Sequence, residues 1–294
     1  MTRLATTDRS VLAAVADDVL HLIDLAIAED QGPGDWTSRW TIPARTRARA
    51  RIIAKAEGTV AGLTPALAVF MRLDGRIESN RLVDEGSRVR PGDVLLELHG
   101  PARSILTGER VALNFMQRLS GIATLTRRYV DAVAGTHTRI LDTRKTTPGW
   151  RTLEKDAVRA GGGTNHRRGL FDAVLIKDNH IAIAGTVAEA VRRVRDHNTR
   201  DLHVTIEVAT LDDLDAVLGL GIDRVLCDNM DLEMLHEAVR RVRRHEPAPE
   251  VEASGNMTLE RVRAVAETGV DFISAGALTH SSTALDVSLQ IMRS

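Results

Sequence analysis

The chain of 294 residues has one cysteine, Cys227, and four lysines, Lys55, Lys145, Lys155 and Lys177. One cysteine excludes an internal disulfide and a multi-cysteine metal cluster, and it fits a reducing compartment, so a cytoplasmic location is expected. An excess of charge is lacking too. The 39 basic and 40 acidic residues leave a formal net charge of -1, so no global field draws the chain to nucleic acid or to an anionic membrane. No stretch reaches the roughly 20 uninterrupted apolar residues that cross a bilayer. Met1 to Ser10 lack the apolar core and small-residue cleavage site of a secretory signal. Neither a Gly-x-Ser-x-Gly nucleophile elbow nor a phosphate-binding loop ending in Gly-Lys-Ser/Thr is found.

What is present reads as a folded chain: 43% hydrophobic and 27% charged residues exclude disorder as the main state. The length suits one large domain or two ordinary ones. Four lysines among 39 basic residues leave 35 arginines, and three of the four lysines fall between positions 145 and 177. Arginine is a planar, permanently charged fork and lysine a compact, mobile point charge, so lysine is kept where a fork does not fit. That window is the first place to look for chemistry.

The first half reads as mixed helix and antiparallel sheet. Residues 11–28 place Leu12, Val15, Val19, Leu22, Ile23 and Ala26 at helical spacing, with Asp8 and Ser10 as candidate caps. Residues 46–57 alternate in a half-exposed strand pattern, 64–73 suggest a short helix, and 76–98 suggest strand, turn and strand. Val83 to Leu95 has the look of a biotinyl or lipoyl carrier hairpin, but Lys55, the only lysine in the N-terminal half, is not at a hairpin tip. A structural hairpin is the better account. A long helix is expected from about 101 to Val130, with a bend near Ser120-Gly121. Beyond it, short apolar runs alternate with amphipathic helices, the signature of a parallel sheet. Six candidate strands end near Asp142, Lys177, Glu207, Asp228, Ser254 and Ser274. The length left is too short for an eight-unit barrel, which leaves a shortened barrel or an open doubly wound sheet.

Function in either architecture gathers at the C-terminal ends of the strands. Those ends carry Asp142-Thr143-Arg144-Lys145, Lys177-Asp178-Asn179, Glu207, Asp228-Asn229, Ser254-Gly255-Asn256 and Ala275-Gly276-Ala277. The segment from Leu141 to Ile181 adds Arg151, Lys155, Arg159, the run Gly161-Gly162-Gly163, and Asn165-His166-Arg167-Arg168. Cations with a glycine run suit a pocket for a multiply anionic small molecule, the alternative being a loop of solvated charges. Glu207 and Asp228 can hold magnesium, directly or through water, beside a substrate phosphate, or else offset the basic loops. Ser254-Gly255-Asn256 and Ala275-Gly276-Ala277 each precede a helix, where phosphates commonly bind. His180 and most other histidines lack ligand spacing, and Cys227 inside an apolar strand reads as a buried structural thiol.

Together these residues resemble the quinolinate phosphoribosyltransferase family, also called nicotinate-nucleotide pyrophosphorylase (carboxylating). The resemblance runs through Glu29-Asp30, Gly34 to Ser38, Glu109 to Phe115, Gly121 to Thr124, Asp142 to Gly149, Gly161 to Leu170, Leu175 to Ile181, Glu252 to Asn256 and Gly269 to Ser281. Departures are Trp150, Ala209 and Cys227. The resemblance implies an α/β protein with an N-terminal α+β sandwich-like domain, residues 1–115, and a C-terminal six-stranded open α/β barrel, residues 116–294, the C-terminal tail packing back on the first. It implies transfer of phosphoribosyl from phosphoribosyl pyrophosphate to quinolinate with decarboxylation, giving nicotinate mononucleotide, pyrophosphate and CO2 for NAD synthesis, with Mg2+. It implies a homodimer in which Arg110 is donated across the interface. Arg110, Arg144, His166, Arg167 and Lys177 would meet the quinolinate carboxylates, Lys145 the ribosyl or pyrophosphate oxygens, and Thr143 the same strand-end pocket. Lys145, Glu207 and Asp228 are then the catalytic candidates, and the two loops at 254–256 and 275–277 the seat of the 5-phosphate. Lys155 falls on a helix, as a supporting or surface charge.

Overall fold

A computed structural model of the chain describes residues 12, 13 and 15–292. The chain divides into two compact units, one drawn from the stretch up to Leu125, Thr147–Gly162 and the stretch from Ser282, the other from Thr126–Thr146 and Gly163–Ser281. This division is discontinuous, where the sequence suggests one boundary at 115/116, because the chain leaves each unit and returns to it.

In the first unit, helix α1 (Asp17–Gln31) opens with Asp17 and Asp18, which face the positive end of the helix dipole. It buries Val19 and Ile23. The candidate caps Asp8 and Ser10 lie outside the described residues. Helix α2 (Trp36–Thr41) is capped by Asp35, whose carboxylate accepts the Ser38 N–H at 2.9 Å and the Thr107 hydroxyl at 2.9 Å. Strand β1 (Arg47–Ala54) buries Ala50, Ile52 and Ala54, every second residue, as a sheet with one covered face requires. Strand β2 (Gly58–Thr59) and helix α3 (Leu63–Leu73) follow, then β3 (Glu78–Arg81), β4 (Arg88–Val89) and β5 (Val94–Pro101).

The region expected to be one hairpin is divided: β3 pairs antiparallel with β5, while β4 between them pairs with β2. The turn residues at 84–87 send the chain to a different partner, which neither strand pattern nor turn chemistry specifies. The C-terminal strand Val287–Ile291 pairs antiparallel with β1, so the sheet order is C-terminal strand, β1, β5, β3.

Helix α4 (Ala102–Ala132) is unbroken through Ser120-Gly121. The two residues there serve packing. The Ser120 hydroxyl donates to the Ala61 carbonyl at 2.9 Å and accepts the Ala61 N–H at 2.9 Å. A Cβ on Gly121 would sit 2.2 Å from the Thr283 carbonyl oxygen. Gly121→Ala gains up to about 1 kcal/mol of helix propensity. It also drives a methyl into backbone, and overpacking of this kind costs about 1–3 kcal/mol or more. The thermal midpoint is therefore expected to fall, as read by calorimetry; an unchanged midpoint would show that the 283–284 segment yields freely.

In the second unit six parallel strands run in the order β6 (Arg139–Leu141), β11 (Phe272–Ser274), β10 (Glu250–Ser254), β9 (Arg224–Asp228), β8 (Val204–Val208), β7 (Val174–Ile176). The sheet is open, with β6 and β7 at its edges. Helices follow the strands: Asp178–Ala184 and Val187–His197 after β7, Leu211–Val217 after β8, Leu232–Val242 after β9 and Leu259–Glu267 after β10. Between β6 and β7 the chain makes helix α5 (Arg151–Ala160), which belongs to the first unit. There Trp150 stacks on Phe115, ring centroids 4.8 Å apart, which accounts for the aromatic at that position.

Candidate active site

The parallel register explains which strand-end residues come together. Glu207, Leu226 and Glu252 are aligned across β8, β9 and β10, and Asp228 is aligned with Ser254 two residues further on. Side chains two apart point to the same face of a strand, so these residues form successive layers on one face. They line a cavity of about 470 Å³.

Eleven sequence-derived candidates line that cavity: Thr143, Arg144 and Lys145 after β6; His166 and Arg167 before β7; Lys177 after it; Glu207, Asp228, and Ser254, Gly255 and Asn256. Their distribution follows strand order. The lysines stand at the two edge strands and the carboxylates Glu207 and Asp228 on neighbouring strands between them. Lys177 Nζ lies 3.8 Å from Glu207 Oε2. Burial raises the Glu207 carboxyl above its ordinary value; Lys177 opposes this, and Asp228 adds to it. Burial and then Arg144 draw the Arg167 guanidinium below the usual arginine value, against the pull of Asp172. Arg167 Nη1 donates to the Ala173 carbonyl at 3.1 Å, while its buried Nε has no protein partner among the described residues.

The loop after β10 is shaped by backbone. Gly255 (φ 91°) and Asn256 (φ 47°) are both left-handed, and so is Asn229 (φ 55°) after β9. A Cβ on Gly255 would lie 2.2 Å from Asn229 Oδ1, so glycine is required there. Asn229 Nδ2 donates to Asp228 Oδ2 at 2.8 Å.

Ala275, Gly276 and Ala277 do not line the cavity. Ala275 is buried and donates its N–H to the Leu141 carbonyl at 3.0 Å. Gly276 lies against the Lys145 stem, where a Cβ would meet Lys145 Cδ at 2.9 Å. The Thr279 hydroxyl donates to the Lys145 carbonyl at 2.7 Å. This loop therefore supports Lys145 from behind. Arg110 is exposed on α4 in the first unit.

The glycine run differs from the anion cradle considered from sequence. Gly161 and Gly162 end α5, their N–H groups donating to the Ala157 and Arg159 carbonyls at 3.0 and 2.9 Å, and only Gly162 has positive φ. Arg151, Lys155 and Arg159 belong to α5, outside the cavity, and Lys155 is buried with 3% exposure, so it is no surface charge. His180 Nδ1 accepts the Lys177 N–H at 3.0 Å, a capping role. Burial, then Glu252, push the Cys227 thiol up to about 12, far from a reactive thiolate.

Sequence reasoning set Asn229 at a strand end without giving it a role, and it did not single out Ser274, Leu175, Leu226 and Glu252, which also line the cavity. Glu252 is the most consequential, because it is fully buried within β10. Its Oε2 lies 3.1 Å from Arg224 Nη1 and 3.5 Å from His166 Nε2. Burial raises its carboxyl, but His166, Arg224 and Ser274 outweigh burial and hold it below the usual glutamate value. A glutamate set between the buried Val251 and Ala253 was the available signal, since a charged group is buried only when paired.

Residues 35–120 match the family described as quinolinate phosphoribosyl transferase, N-terminal domain, and residues 122–290 its C-terminal domain. A Synechocystis sp. protein named "probable nicotinate-nucleotide pyrophosphorylase (carboxylating)" is 45% identical over 267 residues, covering 91% of this chain and 90% of its own. A Nicotiana glauca protein named "quinolinate phosphoribosyltransferase (decarboxylating) 2, mitochondrial" is 42% identical over 293 residues, covering 93% and 82%. The solved nicotinate-nucleotide pyrophosphorylase from Francisella tularensis superimposes with a TM-score of 0.87 at 40% identity, covering 94% of this chain and 96% of that one.

Proposed function

Since the chain belongs to the quinolinate phosphoribosyl transferase family, we propose that its cavity joins quinolinate to phosphoribosyl pyrophosphate and releases CO2. The enzyme is a nicotinate-nucleotide pyrophosphorylase (carboxylating) of NAD biosynthesis. The observation that carries the site assignment is the meeting of Arg144, Lys145, Arg167 and Lys177 with Glu207 and Asp228 in one cavity. A dicarboxylate needs two cationic seats, and a reaction that builds positive charge on a sugar needs carboxylates beside it.

In this reading Arg144, Arg167 and Lys177 orient the quinolinate carboxylates and Lys145 holds ribosyl or pyrophosphate oxygens, with Thr143 beside it. The ribose C1–O bond breaks with its electron pair leaving on pyrophosphate, and the ring nitrogen supplies the pair for the new N–C1 bond. Glu207 and Asp228 favour the positive charge that develops at C1. The carboxylate next to the now cationic ring nitrogen then leaves as CO2, its electron pair staying on the ring carbon, which takes a proton. Ser254, Gly255 and Asn256 offer a small backbone-lined seat for the 5-phosphate, and Ala275, Gly276 and Ala277 act behind Lys145.

Glu207 and Asp228 suit Mg2+ that takes its remaining ligands from water and substrate, because no group of three or more His, Cys, Asp or Glu able to hold a metal occurs among the described residues. When bound, the ion supplies charge neutralisation for the departing pyrophosphate. Pyrophosphate release is expected to stop on chelation and to return with added Mg2+; release that continues in excess chelator would remove the ion from this account.

The same reading makes the enzyme a homodimer in which exposed Arg110 completes the partner's site, and places it in the cytoplasm on its cysteine usage. Mixing inactive Arg110→Ala with inactive Lys145→Ala subunits is expected to restore about a quarter of the normal sites, because half of random dimers are hybrids with one intact site. No recovery after exchange would place each site within one subunit.

A further inference from the structure

His166 was expected to meet the substrate as a cation, yet its ring is engaged at both nitrogens. Nδ1 accepts the backbone N–H of Arg167 at 2.7 Å. A nitrogen that accepts carries no proton, so the ring proton sits on Nε2. Nε2 in turn faces the buried Glu252 carboxylate at 3.5 Å. The backbone N–H of His166 donates to buried Asp142 at 2.7 Å, which fixes the same loop to the end of β6. Glu252 itself is held from behind by Arg224, whose guanidinium also lies 4.0 Å from the Phe272 ring centroid and donates to Glu250 at 2.8 Å.

We propose that Glu252 is a positioning residue of this enzyme: it fixes the Nε2–H form of His166, which holds the backbone of Arg167 and so aims the Arg167 guanidinium into the cavity. The chain of contacts runs from Arg224 through Glu252 and the His166 ring to the N–H of Arg167. Orientation passes along it, as it does from the groups behind a metal-bound histidine. His166 then contributes geometry, and the positive charge that faces the substrate comes from Arg144, Arg167 and the two lysines. This inference rests on the proposed quinolinate reaction for its kinetic part and on the protein alone for its spectroscopic part.

Nitrogen-15 NMR of the unliganded protein with labelled histidine tests the second part directly. Wild type is expected to show His166 with a protonated Nε2 and an unprotonated Nδ1, and a protonated Nδ1 would overturn the proposal whatever the enzyme's substrate. Glu252→Gln keeps the volume and removes the charge. If it folds, the Nε2–H form is expected to lose its dominance and KM for quinolinate to rise about ten- to a hundredfold, with KM for phosphoribosyl pyrophosphate changing far less. A folded Glu252→Gln enzyme with unaltered histidine signals and unaltered KM for quinolinate overturns it. If Glu252→Gln does not fold, the wild-type spectrum still decides. A protein that shows the expected histidine form but does not turn over quinolinate would contradict the function and leave the positioning chain standing.

Discussion

Lys145→Ala is expected to lower kcat/KM about a thousandfold, the usual upper range for removing one preorganised donor to developing charge, while the thermal midpoint stays in place. The two effects separate because of how the residue is anchored. Its side chain is exposed, and its ties to the fold are through the main chain: its N–H donates to the Thr143 hydroxyl at 3.0 Å and its carbonyl accepts from Thr279. Gly276 lies against the stem from one side. Lys145→Arg is expected to recover little, since a planar guanidinium fork does not place its charge as a compact, mobile ammonium does. Steady-state kinetics beside a melting curve checks both halves. Near-normal turnover in Lys145→Ala would refute the site.

Glu252→Ala is expected to have the largest effect on stability. It leaves Arg224 and His166 without the buried carboxylate between them, and breaking one partner out of a buried ion pair costs about 3–5 kcal/mol. Arg224 retains Glu250, which places the loss toward the lower end. The pH dependence has a definite sign. The Glu252 carboxyl is held below its ordinary value in the folded protein, so its contribution is fully present above the usual glutamate value that it has when unfolded. It is lost as pH falls through the lower folded value. Denaturant midpoints measured from neutral pH downward should therefore converge for wild type and variant as acid protonates Glu252. A constant gap would place the stabilisation elsewhere.

Much of the site was legible because parallel strands buried on both faces read as apolar runs, and the polar residue that ends each run marks the loop side of the sheet. Lys177, Glu207, Asp228 and Ser254 were found in this way, and the register then put them in one cavity. Glu252 escaped because it lies two residues inside its strand end, a position that acquires meaning only when β9 and β8 align it with Leu226 and Glu207. The window from 145 to 177 mixed two destinations: Lys145 and Lys177 reach the cavity, whereas Arg151, Lys155 and Arg159 ride on α5 in the other unit. Nothing local distinguishes a helix-ending glycine from an anion-binding one, so Gly161 to Gly163 could be read either way. The Gly34 to Ser38 block of the family resemblance has a local use, in which Asp35 caps α2 and binds Thr107.

The two-carboxylate nature of the substrate is the central claim, and carbon dioxide release reports on it most directly. Quinolinate labelled in the carboxylate beside the ring nitrogen, incubated with phosphoribosyl pyrophosphate and Mg2+, should yield labelled CO2 and pyrophosphate in equal amounts, with nicotinate giving neither product at a comparable rate. Pyrophosphate release from nicotinate without CO2 from quinolinate would contradict the account.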